Sequence, residues 1–370
     1  MRELLTGSQA IVRGALHAGC NFFAGYPITP ATDILLQMLR ELPKVGGVAI
    51  QAEDEIASMG FCLGAAMSGA RVMTATSGPG ISLYSENIGL AIMGEVPMVI
   101  VDVQRMGPAT GGATTVAQGD VQFLRWGTSG GYPVIVLSPT CVAECYSLTR
   151  KAFDLAERFR IPVFLATDKE TALTLTTVDV ETFEKIPVRE RKQAAPGQEF
   201  VPYRVSAPDE VPPMSPIGGA HIVRFTTSTH DEHGQLSKSP EQVRKLNERL
   251  AAKVEAHLDE IAMVKTDIQA GADTLLVSYG VTARAAEEAV EIAREAGKRI
   301  SALIVYSLWP VPEQQIREAL ADVRRVVVPE LNLGQYQREI QCLAPDGVEV
   351  IGIQRVDGEL ISPNEIGMVL

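Results

Sequence analysis

The sequence is poor in cysteine, in tryptophan and in basic charge, and each shortage excludes a class of protein. Its five cysteines form an odd, scattered set without the spacing of a disulfide framework, a zinc site or an iron–sulfur cluster. A formal net charge of −12 argues against nucleic acid or an anionic membrane as the main partner. Two tryptophans accompany 32 glycines, which suggests an α/β protein with many tight turns between strands and helices.

Long apolar runs are also absent. No segment approaches the length that a membrane-spanning helix needs, and the opening residues MRELLTGSQA contain no secretory apolar region. We therefore expect a cytoplasmic protein. The remaining composition, with 46% apolar and 21% charged residues, is ordinary for a globular chain, and a length of 370 residues favours two domains.

Apolar runs alternate with helical patterns in the first part of the chain. Six runs have the length and apolar content of buried strands: CNFFAGY, VGGVAIQA, ARVMTATS, PMVIVDVQ, YPVIVLSP and IPVFLATD. Such strands, separated by helices, indicate a parallel sheet covered on both faces. The alternation stops near Lys169 and returns with DTLLVSYG and ISALIVYSLWPVP. We predict a first domain over 1–170, a long connection with a charged helix over 171–268, and a second domain over 269–370.

Polar residues follow four successive strands of the predicted first domain, at the edge where open parallel sheets bind ligands. They are Thr29 after the first strand, Glu53–Glu55 after the second, Ser77–Gly80 after the third and Arg105 after the fourth. Because these strand ends meet at one edge of the sheet, their convergence predicts a ligand site.

Thr29 has two possible roles. Thr-Pro-Ala-Thr-Asp matches a helix start in which Thr29 is the N-cap and Pro30 the first helical residue. A capping hydroxyl can also contact a ligand, so a structural and a functional interpretation both remain open.

The acidic triplet that follows the second strand has one member of particular interest. Asp54 fits the N-cap of the next helix and Glu53 an exposed flank. Glu55 begins EIASMGFCLGAAMSGA, whose small residues allow close approach of another backbone and predict a buried helix. A buried carboxylate there would suit proton relay. A solvated acid that complements the helix dipole is the alternative.

The third and fourth strand ends carry groups that bind anions. The turn ATSGPGISL places glycines and hydroxyls between a strand and a helix but matches neither common nucleotide-binding motif. Arg105 leaves a buried strand for a loop rich in glycine and threonine. Its guanidinium could bind a carboxylate in bidentate fashion, and a structural ion pair is the alternative.

Taken together, the motifs closely resemble the α subunit of the thiamin-diphosphate-dependent 2-oxoacid:ferredoxin oxidoreductases. The resemblance covers nearly the whole chain and includes GYPITP, EDEIASMGFCLGAA, TSGPGISLYSENIGLA, VDVQRMGP, HDEHG, YSLWPVP and VVVPELNLGQYQREI. It implies an α/β fold with two parts. A thiamin-diphosphate-binding, pyrimidine-type domain with a parallel sheet precedes a smaller α/β domain that resembles the transketolase C-terminal domain.

The resemblance also implies a role for each residue at the strand ends. Glu55 matches the glutamate that hydrogen-bonds the aminopyrimidine of thiamin diphosphate. Thr29 matches a threonine that hydrogen-bonds the 2-oxoacid, and Arg105 the arginine that receives its carboxylate. The further cofactor-binding residues that it implies are Tyr26, Pro27, Ile28, Ser77, Gly78 and Pro79.

Two features of such enzymes are missing from this chain: the GDG motif that holds the diphosphate with Mg²⁺, and cysteines spaced for an iron–sulfur cluster. In the family both belong to the β subunit. The resemblance therefore implies that Mg²⁺ and a [4Fe–4S] cluster lie on that partner, that this chain binds no metal, and that it is inactive alone. Coenzyme A and ferredoxin are the other expected partners, and a separate γ subunit remains open.

The favoured reaction is oxidative decarboxylation of 2-oxoglutarate to succinyl-coenzyme A, or its reversal, because HDEHG resembles that subgroup. However, MGPATGGATTVAQGD after Arg105 lacks the lysine and glutamate of many such members. A branched-chain or aromatic 2-oxoacid is the alternative substrate. A non-catalytic nucleotide-binding protein that uses the SGPG turn is a remote one.

Overall fold

Three sheets organise the computed structural model, which describes all residues from 1 to 370. The first half contains β1 (Arg2–Leu5), α1 (Gly7–His17), β2 (Phe22–Gly25), α2 (Thr32–Glu41), β3 (Val48–Gln51), α3 (Glu55–Met67), β4 (Val72–Thr76), α4 (Pro79–Leu83), α5 (Ser85–Met93), β5 (Met98–Gln104), α6 (Val121–Trp126), β6 (Ile135–Leu137), α7 (Val142–Phe159), β7 (Pro162–Asp168), α8 (Lys169–Leu173) and β8 (Thr176–Asp179).

The second half begins after a long segment with little regular structure. It contains α9 (Pro240–Glu255), α10 (Leu258–Ile261), β9 (Val264–Asp267), β10 (Thr274–Ser278), α11 (Thr282–Glu295), β11 (Ile300–Val305), β12 (Ser307–Trp309), α12 (Glu313–Ala319), β13 (Arg325–Glu330), α13 (Gln337–Leu343), β14 (Glu349–Gln354) and α14 (Pro363–Gly367). None of the helices is both long and apolar enough to cross a membrane.

The largest sheet confirms the predicted parallel architecture. Its seven strands run in the order β12-β6-β7-β5-β4-β2-β3, and all neighbouring pairs except β12 with β6 are parallel. Every residue of β4, β5 and β7 is buried, because helices cover both faces. Alternate residues of β5 enter two different cores: Val99 and Val101 pack with α1 and α7, whereas Met98 and Ile100 pack with α3 and α5.

A smaller, five-stranded sheet follows in the order β14-β13-β10-β11-β9, with β9 antiparallel. The periodicity predicts a single strand for the continuous apolar run ISALIVYSLWPVP. The structure forms two strands from it. The run divides at Tyr306, and β12 crosses to the first sheet and pairs with the edge strand β6. The core on the α3 side continues into the second sheet through residues such as Leu275 and Val328. The two sheets therefore share a core.

Buried ion pairs hold the irregular connection and α9 against the first sheet. Arg191 binds Glu157 of α7 at 2.7 Å. The carboxylate of Glu95, before β5, accepts hydrogen bonds from Arg249 and Lys253 of α9, each at 3.0 Å. Burial alone would raise the pKa of Glu95, but the charges of Lys253 and Arg249 hold it below its ordinary value.

Candidate active site

The four loops with the predicted site residues meet at one edge of the large sheet. Strands β3, β2, β4 and β5 are consecutive neighbours and parallel, so the loops that follow them leave from the same edge. The structure therefore brings Glu55, Ser77–Gly80, Thr29 and Arg105 together. The reason is the order of the strands, which no single motif encodes.

The Ser77–Gly80 turn lies at the centre of this group. Gly78 has φ +47°, a conformation that side chains disfavour, and a Cβ atom there would lie 3.4 Å from Arg105 Cγ. A Cβ atom on Gly80 would collide with Thr76 and lie 3.1 Å from Glu55 Cγ. The two glycines thus allow Arg105 and Glu55 to pack against opposite ends of one turn.

Glu55 is the first residue of α3, and its carboxylate has no hydrogen-bond partner within the chain. Asp54 is the N-cap, as predicted, and accepts a hydrogen bond from the amide of Ala57 at 2.7 Å. Ser58 hydrogen-bonds the main-chain oxygen of Glu55 and not its carboxylate. Only 7% of Glu55 is exposed. A carboxylate on a largely buried residue, with no partner in the chain, fits a group that meets a polar ligand.

Helix α3 is buried on one face and open on the other, so the prediction of a buried helix is only half right. Met59 and Cys62 pack in the core. Gly60, Phe61 and Gly64 are exposed, and a Cβ atom on either glycine would meet no atom within 4 Å. The small residues therefore form a surface that another backbone can approach closely.

Arg105 is a buried cation without an ion pair. It is 5% exposed, and its guanidinium donates hydrogen bonds to two neutral main-chain carbonyls, that of Thr29 and that of Thr110, the latter at 3.2 Å. Its Nε has no acceptor. The structural ion pair that the sequence leaves open is absent. A buried guanidinium with a free donor is suited to an incoming anion.

Of the two interpretations of Thr29, the structural one, a helix cap, is wrong. Helix α2 begins at Thr32, and its N-cap position is Ala31. The amide of Ala31 is satisfied instead by the hydroxyl of Ser77, at 3.3 Å, because the Ser77–Gly80 turn lies against this helix start. Thr29 is exposed, so its side chain is available to a ligand.

The remaining predicted cofactor residues differ in exposure. Tyr26 and Ile28 are half-buried, and Ile28 packs against the core; Pro27 is exposed. Ser77 is fully buried and Pro79 begins α4. These residues border the same loop cluster.

Sequence reasoning missed the contribution of the second domain. A cavity of about 850 Å³ lies between Gly78 and Pro79 on one side and residues 331–335 on the other. Gln118 joins the two sides through its main chain. Its N–H donates to the Leu331 carbonyl at 2.9 Å, and its carbonyl oxygen accepts a hydrogen bond from Asn332 Nδ2 at 2.8 Å. The signal was present: the polar residues of LNLGQ directly follow β13, at the carboxyl edge of the second sheet.

No group of three or more His, Cys, Asp or Glu side chains in the chain is arranged to hold a metal ion. The five cysteines are all free thiols.

Two family models match the chain. Residues 13–249 match the thiamine-diphosphate-binding domain of pyruvate flavodoxin/ferredoxin oxidoreductase, and residues 272–366 match core domain II of pyruvate:ferredoxin oxidoreductase. The fold agrees with both matches, with one mainly parallel sheet in each region. The predicted fold class is therefore confirmed.

Individual relatives agree with the family models. The 2-oxoglutarate synthase subunit KorA of Methanothermobacter thermautotrophicus is 41% identical over 98% of this chain and 96% of its own length. The ketoisovalerate oxidoreductase subunit VorB of the same organism is 32% identical over the same shares of both chains.

A solved structure has nearly the same backbone. The 2-oxoglutarate:ferredoxin oxidoreductase of Magnetococcus marinus, with 2-oxoglutarate, coenzyme A and succinyl-CoA bound, matches the whole chain at 32% identity and a TM-score of 0.94. This chain spans 64% of that longer chain. On these grounds, and as its motifs predict, the chain belongs to the thiamine-diphosphate-binding pyruvate flavodoxin/ferredoxin oxidoreductase family.

Proposed function

We propose that this chain binds the substrate and activates the cofactor in a 2-oxoglutarate:ferredoxin oxidoreductase. The enzyme would form succinyl-coenzyme A and CO2 from 2-oxoglutarate and coenzyme A with transfer of electrons to ferredoxin, or catalyse the reverse reductive carboxylation. The observation that carries the proposal is Arg105, a buried guanidinium beside Thr29 with a free donor and no ion pair.

Thiamin diphosphate is the cofactor that the site fits. The unpartnered carboxylate of Glu55 would hydrogen-bond the aminopyrimidine ring, and the Ser77–Pro79 turn would lie against it, together with Tyr26, Pro27 and Ile28. When bound, the cofactor supplies the nucleophilic carbon and the electron sink that cleavage of a 2-oxoacid requires.

The chain's own residues would orient the reactants and hold a proton. Glu55 would keep a proton at the aminopyrimidine nitrogen that it contacts, because its burial strengthens that hydrogen bond. Arg105 would bind the 2-oxoacid carboxylate, and the hydroxyl of Thr29 would donate to the same substrate. With both groups fixed on neighbouring loops, the carboxylate that leaves as CO2 would be held in one orientation.

The identity of the substrate rests on the relatives. The 2-oxoglutarate synthase subunit shares 41% of its residues with this chain, whereas the ketoisovalerate subunit shares 32%. The loop after Arg105 lacks the lysine and glutamate that the resemblance leads one to expect. A branched-chain or aromatic 2-oxoacid is therefore the second candidate.

A partner subunit would complete the site. The exposed face of α3, with Gly60, Phe61 and Gly64, lies on the helix that begins with Glu55, so a partner that docks there would pack against the element that positions this residue. We propose that this partner is a β subunit that carries the GDG motif, Mg²⁺ and the [4Fe–4S] cluster, and that the complex is cytoplasmic. A γ subunit is compatible with this arrangement and is not required by it.

Kinetics of the assembled complex test the proposal. The chain is copurified with its β subunit and assayed with coenzyme A, a viologen acceptor and a panel of 2-oxoacids. We expect the highest kcat/KM with 2-oxoglutarate. A preference for monocarboxylic 2-oxoacids would make a branched-chain or aromatic 2-oxoacid the substrate. Binding of thiamin diphosphate by the isolated chain would contradict a cofactor site that is shared with the β subunit.

A further inference from the structure

Thr76, the last residue of β4, carries a buried hydroxyl group without a partner. The residue is fully buried, and its Oγ1 makes no hydrogen bond within the chain. Thr74, two residues earlier on the same face of β4, differs. Its hydroxyl donates to the Ala24 carbonyl at 2.8 Å and contacts the Tyr84 hydroxyl at 2.9 Å. Most buried polar side chains are satisfied in this way, so the free hydroxyl of Thr76 requires an explanation.

The carboxylate of Glu55 lies across Gly80 from this hydroxyl. A Cβ atom on Gly80 would collide with Thr76 Oγ1 and would also lie 3.1 Å from Glu55 Oε1. The two oxygens therefore adjoin the same point, and they approach each other this closely because Gly80 has no side chain. No hydrogen bond joins them in the chain, since Thr76 Oγ1 has no partner. An unused donor thus lies beside an unused acceptor.

The main chain of Glu55 is fixed, whereas its carboxylate is free. Ser58 donates to the main-chain oxygen of Glu55 at 2.8 Å, and the Ser58 hydroxyl contacts that of Tyr84 at 3.2 Å. Tyr84 is fully buried and also contacts Thr74. These hydroxyl groups tie the first turn of α3 to β4. The Glu55 carboxylate can therefore move towards Thr76 only through its side-chain torsions.

Asp102 is the other acid that lies beside Thr76. It pairs with Thr76 across β4 and β5, and it follows Met98 and Ile100 on the face that is turned towards α3. Both of its carboxyl oxygens lack a partner. Burial raises the pKa of Asp102 well above its ordinary value, which favours the neutral form. A neutral carboxyl group accepts a weaker hydrogen bond than a carboxylate, so Glu55 is the favoured acceptor.

We propose that Thr76 is a positioning residue that acts through Glu55: in the complete site its hydroxyl donates a hydrogen bond to the Glu55 carboxylate. This inference rests on the function proposed above, in which Glu55 holds a proton at the aminopyrimidine ring. A donor on one carboxylate oxygen stabilises the charged form and fixes its orientation, which leaves the other oxygen for the cofactor. Thr76 itself needs to touch neither the cofactor nor the substrate.

The test compares Thr76→Ser with Thr76→Ala in the assembled enzyme. Both variants lose the methyl group and only alanine loses the hydroxyl, so their difference isolates the hydrogen bond. We expect kcat with 2-oxoglutarate to be about tenfold to a hundredfold lower in Thr76→Ala than in Thr76→Ser, the loss typical of a hydrogen bond to a charged group. KM should change by less than about twofold, because Arg105 and Thr29 are untouched. Equal kcat values in the two variants would overturn the proposal.

Thermal unfolding of the cofactor-free complex separates this role from a structural one. Because Thr76 Oγ1 has no partner in the chain, Thr76→Ala should unfold at a temperature no lower than Thr76→Ser. Thr74 is the matched control on the same strand face: its hydroxyl has partners, so Thr74→Ala should unfold at a lower temperature than Thr74→Ser. A lower unfolding temperature of Thr76→Ala than of Thr76→Ser would show that this hydroxyl stabilises the fold, and would overturn the proposal.

Hydrogen–deuterium exchange at C2 of bound thiamin diphosphate, measured by NMR after quenching, tests the effect on Glu55 without substrate. Exchange should be at least about tenfold slower in Thr76→Ala than in Thr76→Ser. Equal exchange rates would contradict the proposal, and this is the result expected if the Thr76 hydroxyl bonds Asp102 instead. Lack of turnover with every 2-oxoacid would contradict the proposed function and leave the exchange result valid.

Discussion

The guanidinium of Arg105 donates a hydrogen bond to the main-chain carbonyl of Thr29, so the two residues expected to hold the substrate are in direct contact. They are 76 residues apart in the chain and meet because β2, β4 and β5 are successive neighbours in the sheet. This contact places the Arg105 side chain at the end of β2, where the exposed hydroxyl of Thr29 can act on the same ligand.

Replacement of Arg105 by alanine should chiefly impair use of the 2-oxoacid. The loss of a desolvated charge pair with the substrate carboxylate should lower kcat/KM by the equivalent of about 2–4 kcal/mol in transition-state stabilisation. Arg105→Lys should recover only part of this, since lysine cannot form a bidentate pair. The measurement is steady-state kinetics with 2-oxoglutarate, and Arg244→Ala, which removes an exposed cation of α9, is the control. Unchanged kinetics in Arg105→Ala would make Arg105 a structural residue.

Glu55→Gln should abolish turnover and leave assembly intact. Glutamine has nearly the same shape but cannot hold the charge that keeps a proton at the cofactor's ring nitrogen. Glu53→Gln is a matched control, because Glu53 lies two residues away and is exposed. Turnover and size-exclusion chromatography of the complex are measured together. Near-normal activity of Glu55→Gln in an intact complex would refute the assignment.

The open face of α3 should be needed for assembly and not for folding. Gly60→Leu and Gly64→Leu fill space that is empty in the isolated chain and should raise its stability by about 0.5–1 kcal/mol, since glycine disfavours helix. The same variants should fail to copurify with the β subunit. Gly367→Leu, at another helical glycine with no atom within 4 Å, should assemble normally. Normal copurification of the α3 variants would move the interface elsewhere.

Glu95 should be a main determinant of stability. Glu95→Gln leaves Arg249 and Lys253 buried without a counter-charge and should lower the free energy of unfolding by about 3–5 kcal/mol. Glu241→Gln breaks only an exposed pair with Lys245 and should cost less than about 1 kcal/mol. Urea denaturation compares the two variants. Equal effects would show that the buried cluster contributes no more than a surface pair.

The same cluster predicts a dependence of stability on pH. The folded pKa of Glu95 lies below its ordinary value of 4.5, so its contribution is complete above that value and is lost as the pH falls further. Urea midpoints of wild type and Glu95→Gln, measured at decreasing pH, should therefore converge in acid. If the difference between the two urea midpoints stayed constant down to strongly acidic pH, Glu95 would not lose its stabilising effect on protonation, which would contradict this prediction.

The sequence predicts local features well and long-range ones poorly. Apolar runs predicted the strands of the large sheet, and Asp54 was recognised as an N-cap because its capping bond is local. The capping interpretation of Thr29 was wrong, since the amide that it would satisfy is bonded by Ser77 from another loop. The crossing of β12 to the first sheet also escaped prediction, because an apolar run does not reveal which sheet it joins.

The site shows the same division. Strand-end positions predicted Glu55 and Arg105 as candidates, whereas the hydrogen bond from the Asp120 amide to the Gln104 side chain depends on β5 packing against the loop before α6. The role of Asn332 likewise depends on the meeting of two sheets. The LNLGQ motif marks a strand end, but nothing in it shows which loop of the other sheet Asn332 contacts.

A structure of the assembled enzyme with thiamin diphosphate and 2-oxoglutarate bound is the most direct test of this account. We expect the Glu55 carboxylate about 3 Å from the aminopyrimidine ring, with Arg105 on the substrate carboxylate. A Glu55 carboxylate that faces solvent, remote from the cofactor, would contradict it.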